Sequence, residues 1–428
     1  MKVAIFHLGF FYSGGGEKLV LEELRGLKNL DHEVVCFAPY VDRCGCYPDV
    51  REMNEVRAML PPPPAWLPMK HPLWVALCCL LIPFMASRFR RFDVFLGANQ
   101  PGPWFAYVLG KLLRKPYVIY LAQPLRLLHP RQVDLENGIR IREGDHRFLV
   151  ALRRVAGWFI DWADRASVRK AQIVLTNGEY VRQWIHEVYG VESRVCAAGC
   201  HPIPAEELNY QDRWRGTVRV NESVITKPYI LLTNRHSPMK RFEYALSAFQ
   251  EVYRSKKDLT LVITGQETEY TQKLRNMVDD LGLEGVVQFV GLVDEDELQS
   301  LYRQAALYVY PSPEEDFGMG IVEAMAAGTP VVAWNRAGPT GTVKHGKTGY
   351  LVTPYEVREF SARMLGLANN PDLVAYLGRL AHACACKQYA YEYHLQILEL
   401  ALLEAARGQI WIQVPEHAQV SAPEWIQR

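Results

Sequence analysis

The chain has 428 residues, 49% of them apolar, which exceeds one typical domain and suffices for two cores. A formal net charge of +1 provides no global field for nucleic acid. Nine cysteines form no C-x-x-C pair. Cys44/Cys46 and Cys384/Cys386 are C-x-C and Cys78/Cys79 are adjacent, which argues against a zinc site and fits free thiols in a reducing cytoplasm.

Residues 3–6 read as a buried strand directly after Met1 and Lys2, with no signal-peptide pattern between. A loop leads to Gly14-Gly15-Gly16-Glu17-Lys18 and an amphipathic helix to about residue 27, then a strand at 33–38. This is the βαβ opening of a doubly wound domain. Glycines at that first turn let backbone approach a phosphate or sugar, or serve a turn that needs positive φ. Residues 42–72 read as irregular, with four successive prolines at 61–64. An apolar run of about 14 residues follows at 73–86, too short to span a bilayer and interrupted by Pro83. Arg88, Arg90 and Arg91 come next, interleaved with Phe89 and Phe92. Two readings stand: a core helix, or an interfacial helix whose arginines meet anionic headgroups.

Strands are expected at 94–96 and 117–121 with a helix at 104–113 between them. Gln123 and Arg126 follow the second strand, at the carboxyl edge where α/β sheets bind ligands. Residues 131–150 are polar and read as a loop over the ligand cleft. A long helix at 148–169 and a strand at 173–176 come next. The pattern lapses over 200–227, which places a domain boundary at 205/206. It restarts with strands at 229–233, 259–264 and 286–290 alternating with helices. The expected division is 1–205 as the first domain, 206–388 as the second, a helix at 389–412 packing back on the first, and a tail at 413–428.

The stretch 307–332, LYVYPSPEEDFGMGIVEAMAAGTPVV, reads strand, acidic loop, helix, turn, strand, with Gly328 as the left-handed stop of the helix. Glu315 in the loop and Glu323 in the helix stand eight positions apart. Between them Phe317, Gly318 and Met319 offer helix-start amides that suit an anion. Arg235 and Lys240, five apart after the 229–233 strand, suit a diphosphate without a metal. Each feature alone also fits an ordinary βαβ unit with solvated charges. Asp294-Glu295-Asp296 has a D-x-D form but sits at a helix start, where acids favour the dipole.

Together these residues resemble the retaining, nucleotide-sugar glycosyltransferases of family 4. The resemblance rests on Arg235 and Lys240, Thr264-Gly265, Gln288 to Gly291, Pro311-Ser312, Glu315 with Glu323, Ala327 to Val332, and Gly346 with Gly349, in order. Gly14-Gly15-Gly16-Glu17 is similar to that family's Gly-Gly-Ala-Glu turn. The resemblance implies two Rossmann-like doubly wound α/β domains facing a cleft, the GT-B fold. It implies that Glu323 holds the donor ribose, Glu315 contacts the transferred sugar, and the amides of Phe317, Gly318 and Met319 bind sugar or diphosphate oxygens. Arg235 and Lys240 would neutralise the leaving diphosphate, Phe289 and Val290 would meet the base, and Gly15 and Gly16 would approach from the other domain. Gln123 and Arg126 fall on the acceptor side. No metal and no cofactor beyond the nucleotide-sugar substrate are implied.

Two positions depart from the family. Ala122 stands where relatives carry His, and Gly341 where they carry Glu in Gly-Gly-Pro-x-Glu. The expected function is hexosyl transfer, first from GDP-mannose, to a lipid-linked or glycan acceptor at the inner face of a membrane. The alternatives are a sugar-nucleotide-modifying enzyme of the same fold, or a non-catalytic nucleotide-sugar-binding subunit.

Overall fold

A computed structural model describes residues 1–11, 14–43, 45–64, 66, 70–136 and 147–408; the expected tail at 413–428 lies outside them. In chain order the elements begin β1 (Lys2–His7), α1 (Gly15–Asn29), β2 (Glu33–Ala38), β3 (Val56–Ala58), α2 (Lys70–Leu81), β4 (Val94–Ala98), α3 (Gly102–Leu113) and β5 (Tyr117–Leu121). They continue with α4 (Gln132–Glu136), α5 (Arg147–Arg169), β6 (Ile173–Thr176), α6 (Glu179–Tyr189), β7 (Arg194–Val195), β8 (Thr217–Val220), β9 (Ser223–Thr226) and β10 (Tyr229–Thr233). The rest are α7 (Phe242–Ser255), β11 (Thr260–Thr264), α8 (Glu269–Asp280), β12 (Val287–Gly291), α9 (Glu295–Gln304), β13 (Leu307–Tyr310), α10 (Met319–Ala326) and β14 (Val331–Trp334). The chain closes with α11 (Pro339–Thr342), β15 (Gly349–Val352), α12 (Val357–Ala368), α13 (Pro371–Gln388) and α14 (Tyr391–Ala406).

These elements form two compact units. The first comprises Met1–Pro130, Ile141–Ala197 and Glu392–Arg428, and the second Arg131–Arg140 and Ala198–Tyr391. The division therefore falls after Ala197, earlier than the expected 205/206, because the chain past it already pairs within the second unit. The Cys200 amide donates to the Tyr389 carbonyl, and the Ile203 amide to that of Ala326.

The first unit holds a seven-stranded parallel sheet in the order β3-β2-β1-β4-β5-β6-β7. Its inner strands are apolar on both faces, as helices covering both sides require. Phe6, Phe95 and Phe105 form one cluster with Phe89 and Phe92. The stretch expected to be irregular contains β3, a three-residue edge strand on β2 too short to show periodicity. The apolar run forms α2 and then a 3-10 helix, Ile82–Phe89, which starts one residue before Pro83. Proline removes the donor that an α-helix would need there, while the first turn of a new helix tolerates it.

The second unit holds a six-stranded parallel sheet, β12-β11-β10-β13-β14-β15, over a core running from Ile230 and Phe249 to Trp334 and Phe360. The lapse at 200–227 contains the antiparallel hairpin β8–β9, with Asn221 in a left-handed conformation at its tip. Its alternating burial marks a strand with one dry face, a pattern too short to stand out in sequence.

Both sheets start in the middle and run outward in two directions. In the second unit the reversal lies between β10 and β13, which are paired from Ile230 opposite Leu307. Loops leaving the carboxyl ends of two such strands diverge and open a crevice. That is where the candidate residues of this unit lie.

Candidate functional site

β10 ends at Thr233, and Asn234, Arg235 and Lys240 occupy the loop into α7. Gly265 allows this loop to lie against the end of β11. A Cβ on Gly265, at its φ of +140°, would stand 1.9 Å from the Asn234 carbonyl oxygen. Lys240 closes a 3-10 turn and its ammonium pairs with Glu315. Glu315 comes from the other side of the crevice, after β13, and also accepts from Ser312 Oγ at 3.3 Å. Burial pushes the Glu315 carboxyl up, but Lys240, with Arg131 and the Tyr310 hydroxyl, outweighs it and holds the pKa at about 2. The carboxylate is therefore ionised throughout the physiological range. Lys240 is thus already paired in this structure, whereas exposed Arg235 makes no ion pair with a described residue.

Behind this pair, α10 begins at Met319 with Gly318 as its cap at φ +89°. The Ile321 amide donates to the Gly318 carbonyl at 3.0 Å, and the amides ahead of it face the helix's N-terminal side. Glu323 lies farther along α10 and accepts from the Tyr302 hydroxyl at 3.1 Å. Tyr302 in turn lies 2.9 Å from Thr233 Oγ1, which is 2.8 Å from the Tyr308 hydroxyl. These hydroxyls meet over Gly320, where a Cβ would stand 2.5 Å from the Tyr308 oxygen. The side chain of Glu323 is thereby fixed relative to the end of β10. Gly328 ends the helix at φ +67°, as the sequence indicates.

The three acids of the loop have different surroundings. Glu314 is buried, accepts from the Val133 amide at 2.9 Å and pairs with Arg336. Asp316 receives Arg131 at 3.2 Å, and the same guanidinium donates to the Glu314 carbonyl. Arg131 also meets Asp134 at 3.3 Å. The beginning of the segment expected to be a loop over the cleft is therefore the ordered helix α4, bound to the acidic loop. Residues 137–146 lie outside the described residues. The Gly338 amide donates to the Glu315 carbonyl at 2.8 Å, and a Cβ on Gly338 would meet Asp316 backbone at 2.5 Å. Sequence reasoning missed Arg131, Tyr302, Tyr310 and Thr233, and singled out Ser312 only within the family motif. The one usable hint was Arg131 itself, a cation following a proline just past the ligand edge of β5.

Phe289 and Val290 lie within β12, with the loop beginning only after Gly291. Phe289 is half-buried under the Arg275 guanidinium, 4.6 Å from its ring centre, and lies 5.8 Å from the His236 ring. Burial lowers His236 to about 4, so it is neutral at pH 7. Asp294 caps α9 by accepting from the Glu297 amide at 2.8 Å, which explains the D-x-D form as capping. Among the described residues no cluster of three or more His, Cys, Asp or Glu is grouped to hold a metal ion.

In the first unit Gly15 and Gly16 open α1 at the end of β1, and neither takes a positive φ. The turn therefore does not demand glycine for its backbone conformation, and a Cβ on Gly16 would meet its nearest neighbour, Asn99 Nδ2, at 3.8 Å. Glu17, buried in the first turn, lies 3.4 Å from His7 Nε2. Gln123 follows β5, and its Oε1 is buried without a hydrogen-bond partner among the described residues, as is Asn177 Oδ1 after β6. Arg126 is half-buried nearby in sequence. The Ala122 amide donates to Asn99 Oδ1 at 2.9 Å, so the position without the relatives' His is held through its backbone. A Cβ on Gly341 would meet open space, so the missing Glu reflects no steric exclusion.

Two family models match the chain. One, described as Glycosyltransferase Family 4, matches residues 13–198, and the other, Glycosyl transferases group 1, residues 217–383. The chain is 32% identical over 161 residues to the alpha-1,3/1,6-mannosyltransferase ALG2 of Dictyostelium discoideum, covering 34% of this chain and 38% of that protein. It is 29% identical over 220 residues to an exopolysaccharide phosphotransferase of Streptomyces coelicolor, covering 51% of this chain and 22% of that protein. The matched stretches thus span well under half the length of either relative. In structure, Anabaena HepE in complex with UDP-glucose superposes with a TM-score of 0.69 at 18% identity, covering 94% of this chain and all of that one. A sucrose-phosphate synthase from Thermosynechococcus elongatus gives 0.69 at 16% identity over 94% of this chain and 98% of that one. With one family model on each sheet and the doubly wound order in both, the chain belongs to glycosyltransferase family 4 and has the GT-B fold.

Proposed function

We propose that the protein is a retaining, metal-independent hexosyltransferase that moves a sugar from a nucleotide sugar, first GDP-mannose, to a lipid-linked or glycan acceptor at the inner face of a membrane. The observation that carries this is the Lys240–Glu315 pair at the crevice between β10 and β13, with Arg235, the α10 amides and Glu323 around it. Breaking the anomeric bond leaves a nucleotide diphosphate anion and a sugar of oxocarbenium character. Arg235, Lys240 and the amides of Phe317, Gly318 and Met319 meet the anion, most strongly once its charge has developed. Glu315, held at about 2, stays ionised. It therefore serves as an acceptor for sugar hydroxyls and an electrostatic partner of the developing cation, and is unsuited to act as a general acid at neutral pH. Glu323 takes the ribose hydroxyls, and Phe289 and Val290 border the base. Gln123 and Arg126 face the acceptor. Fixed cations supply the charge stabilisation a divalent ion would otherwise give, so no metal and no cofactor takes part.

Mannose is supported by the likeness to the named mannosyltransferase, and nucleotide-sugar binding by the neighbour solved with UDP-glucose. That neighbour holds a UDP sugar whereas the donor proposed here is a GDP sugar, so the test uses both. A panel of GDP- and UDP-linked sugars is screened by thermal shift and then by radiolabelled transfer to membrane extract. Wild type transfers from GDP-mannose. Glu315→Ala loses about a hundredfold or more in transfer while still binding nucleotide. Equal inactivity of wild type and Glu315→Ala with every donor would overturn the reading. Tight nucleotide-sugar binding without turnover would instead favour the binding subunit.

A further inference from the structure

We propose that the first unit docks on an anionic lipid surface through a face built jointly by α2, the 3-10 helix that continues it, and α5. The proposal rests on the lipid-linked acceptor proposed above.

The helical segment His71–Phe89 extends beyond the 14-residue run that the sequence marks as too short to span, and by length and composition it could cross a membrane, yet it is seated in the domain core along one side. Cys78, Ile82 and Phe89 are fully or almost fully buried in the cluster that contains Phe6 and Phe95. A crossing helix could not keep that seat. Its other side is apolar as well: Leu77 is 37% exposed, Leu80 68% and Phe84 84%, at i, i+3 and i+7. A soluble surface helix turns charged or polar residues outward. This one carries none outward until Ser87 and Arg88.

The second half of the face lies on α5. Trp158, 70% exposed, and Trp162 are one helical turn apart, with Phe159 beside them. Trp104 of α3 joins the halves. Its indole lies 3.5 Å from the Cys79 carbonyl on α2, and its ring centre is 6.3 Å from those of both Phe159 and Trp162. Exposed Leu and Phe side chains of α2 and its continuation, and exposed Trp and Phe side chains of α5, thus lie on either side of half-buried Trp104. Tryptophan suits the boundary of a bilayer, with an apolar body and a polar N–H.

Charge selects the partner. From Val56 through Phe92 the sequence has no Asp or Glu, while Arg57, Lys70, Arg88, Arg90 and Arg91 are present. Arg91 meets Glu33 at 3.4 Å, whereas Arg88 and Arg90 are exposed and make no ion pair with a described residue. An apolar strip bordered by free guanidinium groups matches acyl chains beneath anionic headgroups. A second copy of the chain would bring the same cations against themselves.

The test uses the full chain and sedimentation with vesicles of phosphatidylcholine alone or mixed with phosphatidylglycerol. Wild type binds the mixed vesicles, and added salt weakens the binding. Leu80→Glu/Phe84→Glu lowers affinity by about tenfold or more, as does Trp158→Ala/Trp162→Ala, which changes only α5. Arg88→Glu/Arg90→Glu removes the preference for phosphatidylglycerol. All three variants keep the wild-type thermal shift with nucleotide, which separates this proposal from the reading of the donor site. Wild-type binding that none of the variants changes, or no binding to either vesicle, overturns the proposal. So does a dimer that dissociates on Phe84→Glu, which would assign the face to a second copy.

Discussion

Glu315 shows how a single side chain combines structural and chemical roles. Its ordinary value is 4.5 and it is held at about 2 in the fold. A depressed carboxylate contributes stability that is present above its unfolded value and lost as pH falls through its folded value. Urea melts should therefore show wild type and Glu315→Gln differing by a pH-independent amount above about pH 5, with the gap closing towards pH 2. A constant gap through that window would mean that Lys240 does not set the carboxyl's ionisation. Glu323, proposed above to meet the ribose rather than the reacting sugar, should behave differently. Glu323→Ala should raise the donor KM about tenfold with a smaller loss in kcat, measured by steady-state kinetics. Gly320 packs where the hydroxyls of Tyr308, Thr233 and Tyr302 converge. Gly320→Ala should cost about 1–3 kcal/mol in chemical denaturation and displace Glu323, since three short-range neighbours must shift at once.

Among the elements, the turn after α10 depends on one buried cation. Arg213 is fully buried and donates to the carbonyls of Ala305 and Ala327 and to Thr329 Oγ1. It thereby joins the start of β13 to the end of α10, the two elements that frame the acidic loop. Burial lowers its pKa to about 10, so it stays charged at neutral pH. Arg213→Met should destabilise the second unit by about 3–5 kcal/mol, read from its urea midpoint, because several buried acceptors lose their donor. The helices of this unit were largely legible in the sequence, since Asp294 and Gly328 are local start and stop signs. α4 and the β8–β9 hairpin were not. Five helical residues or two four-residue strands carry too little periodicity to be distinguished from loop. Their identity comes from partners far along the chain: Glu314 for α4, and the Leu292 and Val290 carbonyls for the hairpin tip at Asn221.

On the scale of the whole chain, the last helix belongs with the first sheet. His394 of α14 is buried, with Nε2 3.1 Å from Glu23 on α1 and Nδ1 3.0 Å from the Ala197 carbonyl. Burial alone would lower its pKa, but the Cys196 sulfur and the Glu23 carboxylate prevail and raise it well above 6.5. A raised histidine contributes stability that is complete below its unfolded value and lost as pH rises through its folded one. His394→Ala should therefore lower the melting temperature more at pH 6 than in alkaline solution. An equal loss at both would show a packing role alone.

The sequence by itself determined the alternation of strands and helices, the two doubly wound halves and the carboxyl-edge loops. Buried parallel strands require unbroken apolar runs, and helix ends require caps, so both leave local marks. The pairing of Lys240 with Glu315 lies across 75 positions, and that of Arg131 with Asp316 across 185. The order of strands in the sheet, which places β10 beside β13, brings Lys240 and Glu315 together, and the docking of α4 on the acidic loop brings Arg131 to Asp316. The same holds for the helix at 73–86, where composition left core and interface as equal readings. Tertiary packing decided that one side is core and the other exposed, because burial depends on which neighbours cover a face, and those neighbours are distant in the chain.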